Sequence, residues 1–297
     1  MAALRPLFVL LSLATLLALA LSAGGAAQDA PPPACEAVSP DAGNALIGAY
    51  ASQDGYAARQ RGDRVSVTIP PIAFTAPDGS TSSTLPAGPC QTIYRFRYPT
   101  VTTRRRRAPS PFRYVEIDWN TEGRPRGPNG SFASGHFDFH FYVRSRAYVD
   151  DATSCDTGGA NTCDPILTGE RKMRRFLRLP SPRFLPTDYV LDPGSSIPAM
   201  GLHHLDQRFT YAKDYVDHHP VLLYGSFDGR LLFAEASVTL PTLHDVTRDV
   251  DRTISFPFRQ PHAVRGGHRW PRRFALRMLP DGGFEASFIG LHRIGRR

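Results

Sequence analysis

His136-Phe-Asp-Phe-His-Phe-Tyr142 (HFDFHFY) alternates polar and aromatic side chains from His136 to Phe141, and its last residue, Tyr142, combines the two characters. A period of two belongs to an extended strand, where residues i, i+2 and i+4 share a face. The stretch therefore predicts a β-strand with His136, Asp138 and His140 on one side and Phe137, Phe139 and Phe141 on the other. Three ligand-type side chains backed by three aromatic rings do not suit an ordinary solvent face. The rings belong in an apolar layer, and the polar side in a polar cavity such as a barrel lumen.

On either side of this strand, short runs rich in Val, Ile, Phe, Tyr and Thr recur, punctuated by Pro and Gly. They predict strands at Arg64–Ile69, Thr92–Tyr98, Tyr114–Trp119, His136–Val143, Val221–Tyr224, Leu231–Leu240, Arg273–Leu279 and Phe284–Leu291. Asp228-Gly229 and Asp281-Gly282-Gly283 each separate two such runs and predict tight hairpin turns, because Gly tolerates a positive φ. Leu243, Val246 and Val250 recur at helical spacing, so a helix is expected around Leu240–Val250. Long helical periodicity is absent. The fold class is all-β, an antiparallel barrel or sandwich with few short helices.

The N-terminus has a different organisation. Arg5 precedes an apolar run, Leu7–Leu21, and a small-residue stretch, Ser22–Ala27. That order is that of a cleavable secretory signal peptide, residues 1–27, and the run is shorter than the roughly 20 residues a helical membrane span needs. Residues 28–34 form a flexible leader, and residues 35–297 carry no repeat or long linker, so they are read as one β-rich domain. The expected location is secreted or periplasmic. Four cysteines suit that compartment. Cys155 and Cys163 bracket a polar loop that can double back, which pairs them and leaves Cys35 with Cys90. No C-x-x-C spacing favours zinc at these thiols.

The formal charge is +8, with Lys only at Lys172 and Lys213. The densest run, Arg104, Arg105, Arg106 and Arg107, reads as a solvated loop able to make weak contact with an anionic surface. Nucleic acid is not an expected partner of an exported protein; an unidentified small molecule or extracellular substrate is. No G-x-S-x-G, Gly-rich phosphate loop or dinucleotide fingerprint occurs, so neither serine-nucleophile catalysis nor a nucleotide cofactor is implied.

The chemistry therefore falls to histidines and carboxylates. On a strand, residues two apart lie about 7 Å apart and can share an ion, whereas residues four apart are about 13 Å apart. His136 and His140 accordingly do not share one ion unless a bulge bends the strand. Asp138 serves either as a ligand beside one of them or as an orienting group behind it. Further ligands come from Met200-Gly-Leu-His-His-Leu-Asp206 and from Glu235, a carboxylate inside the apolar run LLFAEASV. Such a group is exposed or matched to a cation, either a metal or an Arg such as Arg230. His203 and His204 point opposite ways in an extended segment, and His203 is the preferred ligand. Asp206 reads as a turn cap. His218, His219, His244, His262, His268 and His292 read as surface or loop residues. Against the ligand reading stands a plainer one, a buried polar network that fixes strand register.

The ordered series WN-x-x-G at Trp119–Gly123, HFDFHFY, MG-x-H-x-x-D at Met200–Asp206, YG-x-x-DG at Tyr224–Gly229 and F-x-E at Phe233–Glu235 resembles an uncharacterised bacterial secreted-protein family. Its type member is a thermophile protein controlled by a sigma-E and anti-sigma-E system. The resemblance spans roughly residues 110–295, including Pro261, Gly267 and Pro271, and implies no particular reaction. This chain departs from it at Arg124, where the family tends to His, and at Ala236 after Glu235, where it tends to Pro.

These readings converge on an exported protein with a divalent transition-metal site built from His136, Asp138, His140, His203 and Glu235. Zinc, iron, manganese or copper all suit such ligands, and metal-activated water or dioxygen would be the reagent of a hydrolase or oxidoreductase. The alternative is a non-catalytic envelope-stress or small-ligand-binding protein.

Overall fold

The HFDFHFY segment forms an interior strand. The computed structural model describes residues 58–69, 93–102, 111–120, 135–155, 163–197, 200–208, 213–247, 251–265, 269–280 and 283–294. All of them belong to one compact unit, Val38–Arg297. The strands are β1 (Ala58–Arg61), β2 (Arg64–Ile69), β3 (Ile93–Thr102), β4 (Tyr114–Asn120), β5 (His136–Tyr142), β6 (Tyr189–Ile197), β7 (Gly201–Asp206), β8 (Val221–Phe227), β9 (Arg230–Thr239), β10 (Thr253–Pro257), β11 (Arg269–Trp270), β12 (Arg273–Met278), β13 (Phe284–Ile289) and β14 (His292–Arg293). Twelve of them are hydrogen-bonded in the order β10-β12-β13-β2-β1-β3-β4-β5-β9-β8-β7-β6, and β11 pairs with β14. Among the described strands only the β1–β3 contact is parallel.

The order ends at β10 and β6, so among the described residues the strands form a sandwich-like arrangement and not a closed barrel. The aromatic side of β5 faces the opposing layer. Phe137 meets Phe284 at 5.8 Å between ring centroids, Phe139 meets Phe284 and Phe274 at 6.0 and 6.2 Å, and Phe141 meets Phe288 at 4.7 Å. Val65 and Val67 of β2 and Val115 and Ile117 of β4 complete the same core. Three of these pairs, all but Phe139–Phe274, are edge-to-face, an arrangement that adds about 0.5–1.5 kcal/mol per pair beyond the area buried.

The other side of β5 is also buried, and this departs from the barrel-lumen expectation. A second apolar cluster joins Tyr114, Tyr142 and Phe233 to Val149 of α1 (Arg146–Thr153) and Phe176 of α3 (Glu170–Phe176). A third joins Val221 and Leu223 to Val216 of α4 (Lys213–His218). Short helices thus pack beside the polar row, against residues that flank it on β4, β5, β8 and β9. These helices have local causes. The Ser145 hydroxyl accepts from the Tyr148 amide, and Asp164 accepts from the amides of Ile166 and Leu167 at the start of α2 (Pro165–Thr168). A disulfide between Cys155 and Cys163 ties the end of α1 to the start of α2.

The Asp228-Gly229 hairpin forms as expected, with φ of 48° and 70° and Phe227 facing Arg230. Those angles are the type I′ geometry that matches strand twist. β12 and β13 pair from Met278–Phe284 to Arg273–Ile289, while positions 281–282 lie outside the described residues. A helix, α5 (Leu240–Thr247), occupies most of the segment expected to be helical. Six strands, β1, β6, β7, β10, β11 and β14, have no counterpart among the expected ones. β6 runs through Asp192-Pro-Gly-Ser-Ser196, which reads as a turn, and β7 takes up the MG-x-H segment. The signal peptide, the leader, the Cys35–Cys90 pairing, Arg104–Arg107 and Arg124 fall outside the described residues. Among those described, no helix is long and apolar enough to cross a membrane.

Candidate metal centre

Three strands, β5, β9 and β7, carry the buried polar cluster, with β8 between the last two. On β5 and β9, His140 faces Glu235 in register; on β7 and β8, His203 faces Gly225, whose own partner on β9 is Phe233. The alternation of each strand then turns His140, His203 and Glu235 to one side. Glu235 Oε2 lies 3.3 Å from His140 Nε2 and 3.4 Å from His203 Nε2. All three side chains are nearly sealed from solvent, at 1 %, 5 % and 2 % exposure for His140, His203 and Glu235. Arg230 sits at the hairpin end of β9 and is exposed, so Glu235 is matched to imidazoles and not to that guanidinium.

Of the five expected ligands, these three converge, with one ligand atom from each within 4.8 Å of the others. His136 and Asp138 stand further along β5. Their contact is His136 Nε2 to Asp138 Oδ2 at 3.7 Å. Asp138 reaches the cluster indirectly, because the Ser237 hydroxyl donates to Asp138 Oδ1 and lies 3.1 Å from Glu235 Oε1. A hydroxyl has one proton, so Ser237 orients one carboxylate while touching the other. His204 points away, as alternation requires, to Ser226 Oγ at 2.7 Å. Asp206 accepts the Arg208 amide in a turn and pairs with Arg208 and Arg259.

β4 contributes two carboxylates that the motif reading passed over. Asp118 Oδ2 is 3.5 Å from His140 Nδ1, and Glu116, Asp118 and His140 form a second close group. His140 therefore stands between two carboxylate positions, one at each ring nitrogen. The register partners of Glu116 and Asp118 on β3 are Arg97 and Arg95, whereas those of Glu235 are His140 and Leu223. A carboxylate two residues from another in YVEIDWN, on a strand whose neighbour is HFDFHFY, is the signal that would have found them.

Burial by itself pulls the His140 pKa down, but the negative charges of Glu235, Asp118 and Asp138 outweigh it and raise it to about 9. Burial pushes Glu235 up, and His140 and His203 more than reverse this, holding its carboxyl well below the usual range. His204 moves the other way, to about 4, through burial and the neighbouring His203. Even so, neither ring nitrogen of His140 nor Oε2 of Glu235 makes a hydrogen bond of good geometry.

Phe233 forms one wall of the cluster, its ring 4.8 Å from His140 and 5.3 Å from His203. A Cβ on Gly225 would lie 2.1 Å from that ring, and one on Gly201 would lie 2.3 Å from the Ser226 carbonyl oxygen. The glycines of the MG-x-H and YG-x-x-DG motifs thus make room for the wall and for the strand that carries His203. No protein-family model matches this chain, and neither the curated proteins nor the solved structures yield a significant match.

Proposed function

We propose that the protein binds one divalent transition-metal ion through His140, His203 and Glu235. The observation that carries this reading is the spacing of the ligand atoms. A tetrahedral ion with bonds of about 2.0–2.1 Å holds its ligands about 3.3–3.4 Å apart, and the two contacts of Glu235 Oε2 are 3.3 and 3.4 Å. Buried polar atoms in folded proteins find partners, and an ion supplies one to His140 Nε2 and Glu235 Oε2 together. Asp118 at His140 Nδ1 then has the role of a carboxylate that fixes the tautomer of a ligating imidazole. Two imidazoles and one carboxylate suit zinc or iron and leave coordination positions for water or substrate. Such an ion would supply an activated water or a site for dioxygen, the chemistry of a hydrolase or oxidoreductase.

Export accords with the Cys155–Cys163 disulfide and with the order of charge and apolar residues at the N-terminus. The test is metal analysis of the purified protein beside His140→Ala and His203→Ala. Near-stoichiometric metal in the wild type and its loss in both variants is expected; equal trace metal in all three overturns the proposal.

A second reading is favoured by the raised His140 pKa. In it an imidazolium between Glu235 and Asp118 forms a buried ion-pair network that sets strand register. That network binds no metal, and the metal analysis separates the two.

A further inference from the structure

A cavity of about 310 Å³ lies where the chain leaves β5 and enters β9, and three arginines, Arg144, Arg230 and Arg265, line it together with Phe184, Trp270 and Val264. Its apolar members are fixed: Phe184, Val264 and Trp270 are 6 %, 8 % and 2 % exposed. The Trp270 indole donates its N–H to the Tyr224 hydroxyl at 3.0 Å, which leaves the ring as wall and turns its polar edge inward. The Arg265 guanidinium lies 5.2 Å from the centroid of Phe184, and the Arg144 guanidinium 5.7 Å from that of Tyr148. Cation–π contacts of this kind position a guanidinium without neutralising it.

Uncompensated charge distinguishes this place from two other arginine pairs. Arg175 and Arg178 share Asp228, and Arg208 and Arg259 share Asp206. No ion pair among the described residues involves Arg144, Arg230 or Arg265. The charges nearest Arg144 include Arg230, Arg265 and Arg113, which together with its burial pull its pKa below the usual arginine value. Its Nε is buried without a hydrogen-bond partner. Three like charges held around a partly apolar hollow repel one another, and a bound oxyanion relieves that repulsion.

We propose that this cavity is a binding site for a small organic oxyanion, a carboxylate or phosphate ester joined to a flat apolar body. Arg144, Arg230 and Arg265 hold the oxyanion, for which the planar guanidinium fork is suited. Phe184, Val264 and Trp270 receive the apolar part. The volume is at the lower limit for small-molecule sites, which restricts the ligand to about the size of a single substituted ring. The site shares no residue with the metal cluster and stands or falls without it.

The experiment titrates the full purified chain with phenyl phosphate, benzoate, benzyl alcohol and inorganic phosphate, followed by calorimetry and tryptophan fluorescence. Saturable binding of phenyl phosphate or benzoate, at least tenfold tighter than benzyl alcohol and inorganic phosphate, is expected. Arg144→Gln and the exposed Arg265→Gln should each weaken it about tenfold, with the circular dichroism spectrum and the metal content of Arg265→Gln unchanged. Equal affinity in wild type and Arg265→Gln overturns the proposal, as does inorganic phosphate binding as tightly as phenyl phosphate. A further arm uses vesicles rich in anionic lipid: arginine-dependent binding to them without binding of the soluble probes replaces the small-ligand site with a surface contact and also overturns it.

Discussion

Metal capture at His140 should expel a proton, and the pH dependence of affinity measures it. The metal-free imidazole titrates at about 9 because Glu235, Asp118 and Asp138 outweigh the effect of burial, so near neutrality it is an imidazolium. Coordination requires the neutral ring. Affinity should therefore rise about tenfold per pH unit below about pH 8 and level off near pH 9, about 50-fold in all between pH 7 and 9, roughly 2 kcal/mol. The sign for folding is opposite. A folded pKa above the unfolded value of 6.5 stabilises the metal-free protein fully below about pH 6.5, and that contribution is lost as pH rises through about 9. Zinc titrations by calorimetry at about pH 7.5, in two buffers of different ionisation enthalpy, should show about one proton released per ion. Affinity that stays flat from pH 7 to 9, with no proton released, would refute the assignment of His140 as a ligand in this electrostatic setting.

Three more outcomes follow from the geometry. Asp118→Asn removes the carboxylate 3.5 Å from His140 Nδ1, and should weaken metal binding about 10–100-fold at unchanged stoichiometry, read by chelator competition. Gly225→Ala places a methyl group 2.1 Å from the Phe233 ring; thermal unfolding should show a loss of about 1–3 kcal/mol or more, with weaker metal retention because that ring packs on both histidines. His204 has a folded pKa of about 4, so its neutral form stabilises the fold above about pH 6.5 and the contribution is lost as pH falls toward 4. Denaturant midpoints at about pH 7 and pH 4.5 should therefore converge in His204→Gln relative to wild type, and an unchanged pH dependence would remove this account.

Where one side of a strand differs chemically from the other, the sequence showed it. HFDFHFY could be assigned faces because its polar and aromatic residues alternate, and Asp228-Gly229 could be assigned a turn because both residues can adopt the positive φ that the hairpin requires. Glu235 stood out as a charge within an apolar run. β6 was hidden because Pro193 and Gly194 read as a turn; the strand tolerates them because it ends the sheet order and its pairing with β7 shifts register between Leu191 and Ser196. β7 was hidden with it, so His203 was chosen by motif position and not by pairing. Glu116 and Asp118 are no less visible in YVEIDWN than Glu235 is in its run, but their relevance depends on β4 pairing with β5 in the register Glu116–His140. Register between strands is a property of the whole sheet, and neither strand states it alone. The barrel lumen was wrong for a related reason: alternation tells which residues share a side, but not whether helices or a second sheet cover that side.

The two unlike faces of β5 also act as a proofreading device. Sliding β5 by one residue against β4 and β9 would turn His136, Asp138 and His140 into the phenylalanine layer and Phe137, Phe139 and Phe141 out of it. Burying those polar groups unpaired costs several kcal/mol, so mispaired sheets are rejected by the same row that presents His140 to the cluster. Replacing all three with apolar side chains would leave a strand that reads the same from both sides. Such a chain should refold with slipped and intermolecular pairings, an error that has nothing to do with the loss of a metal.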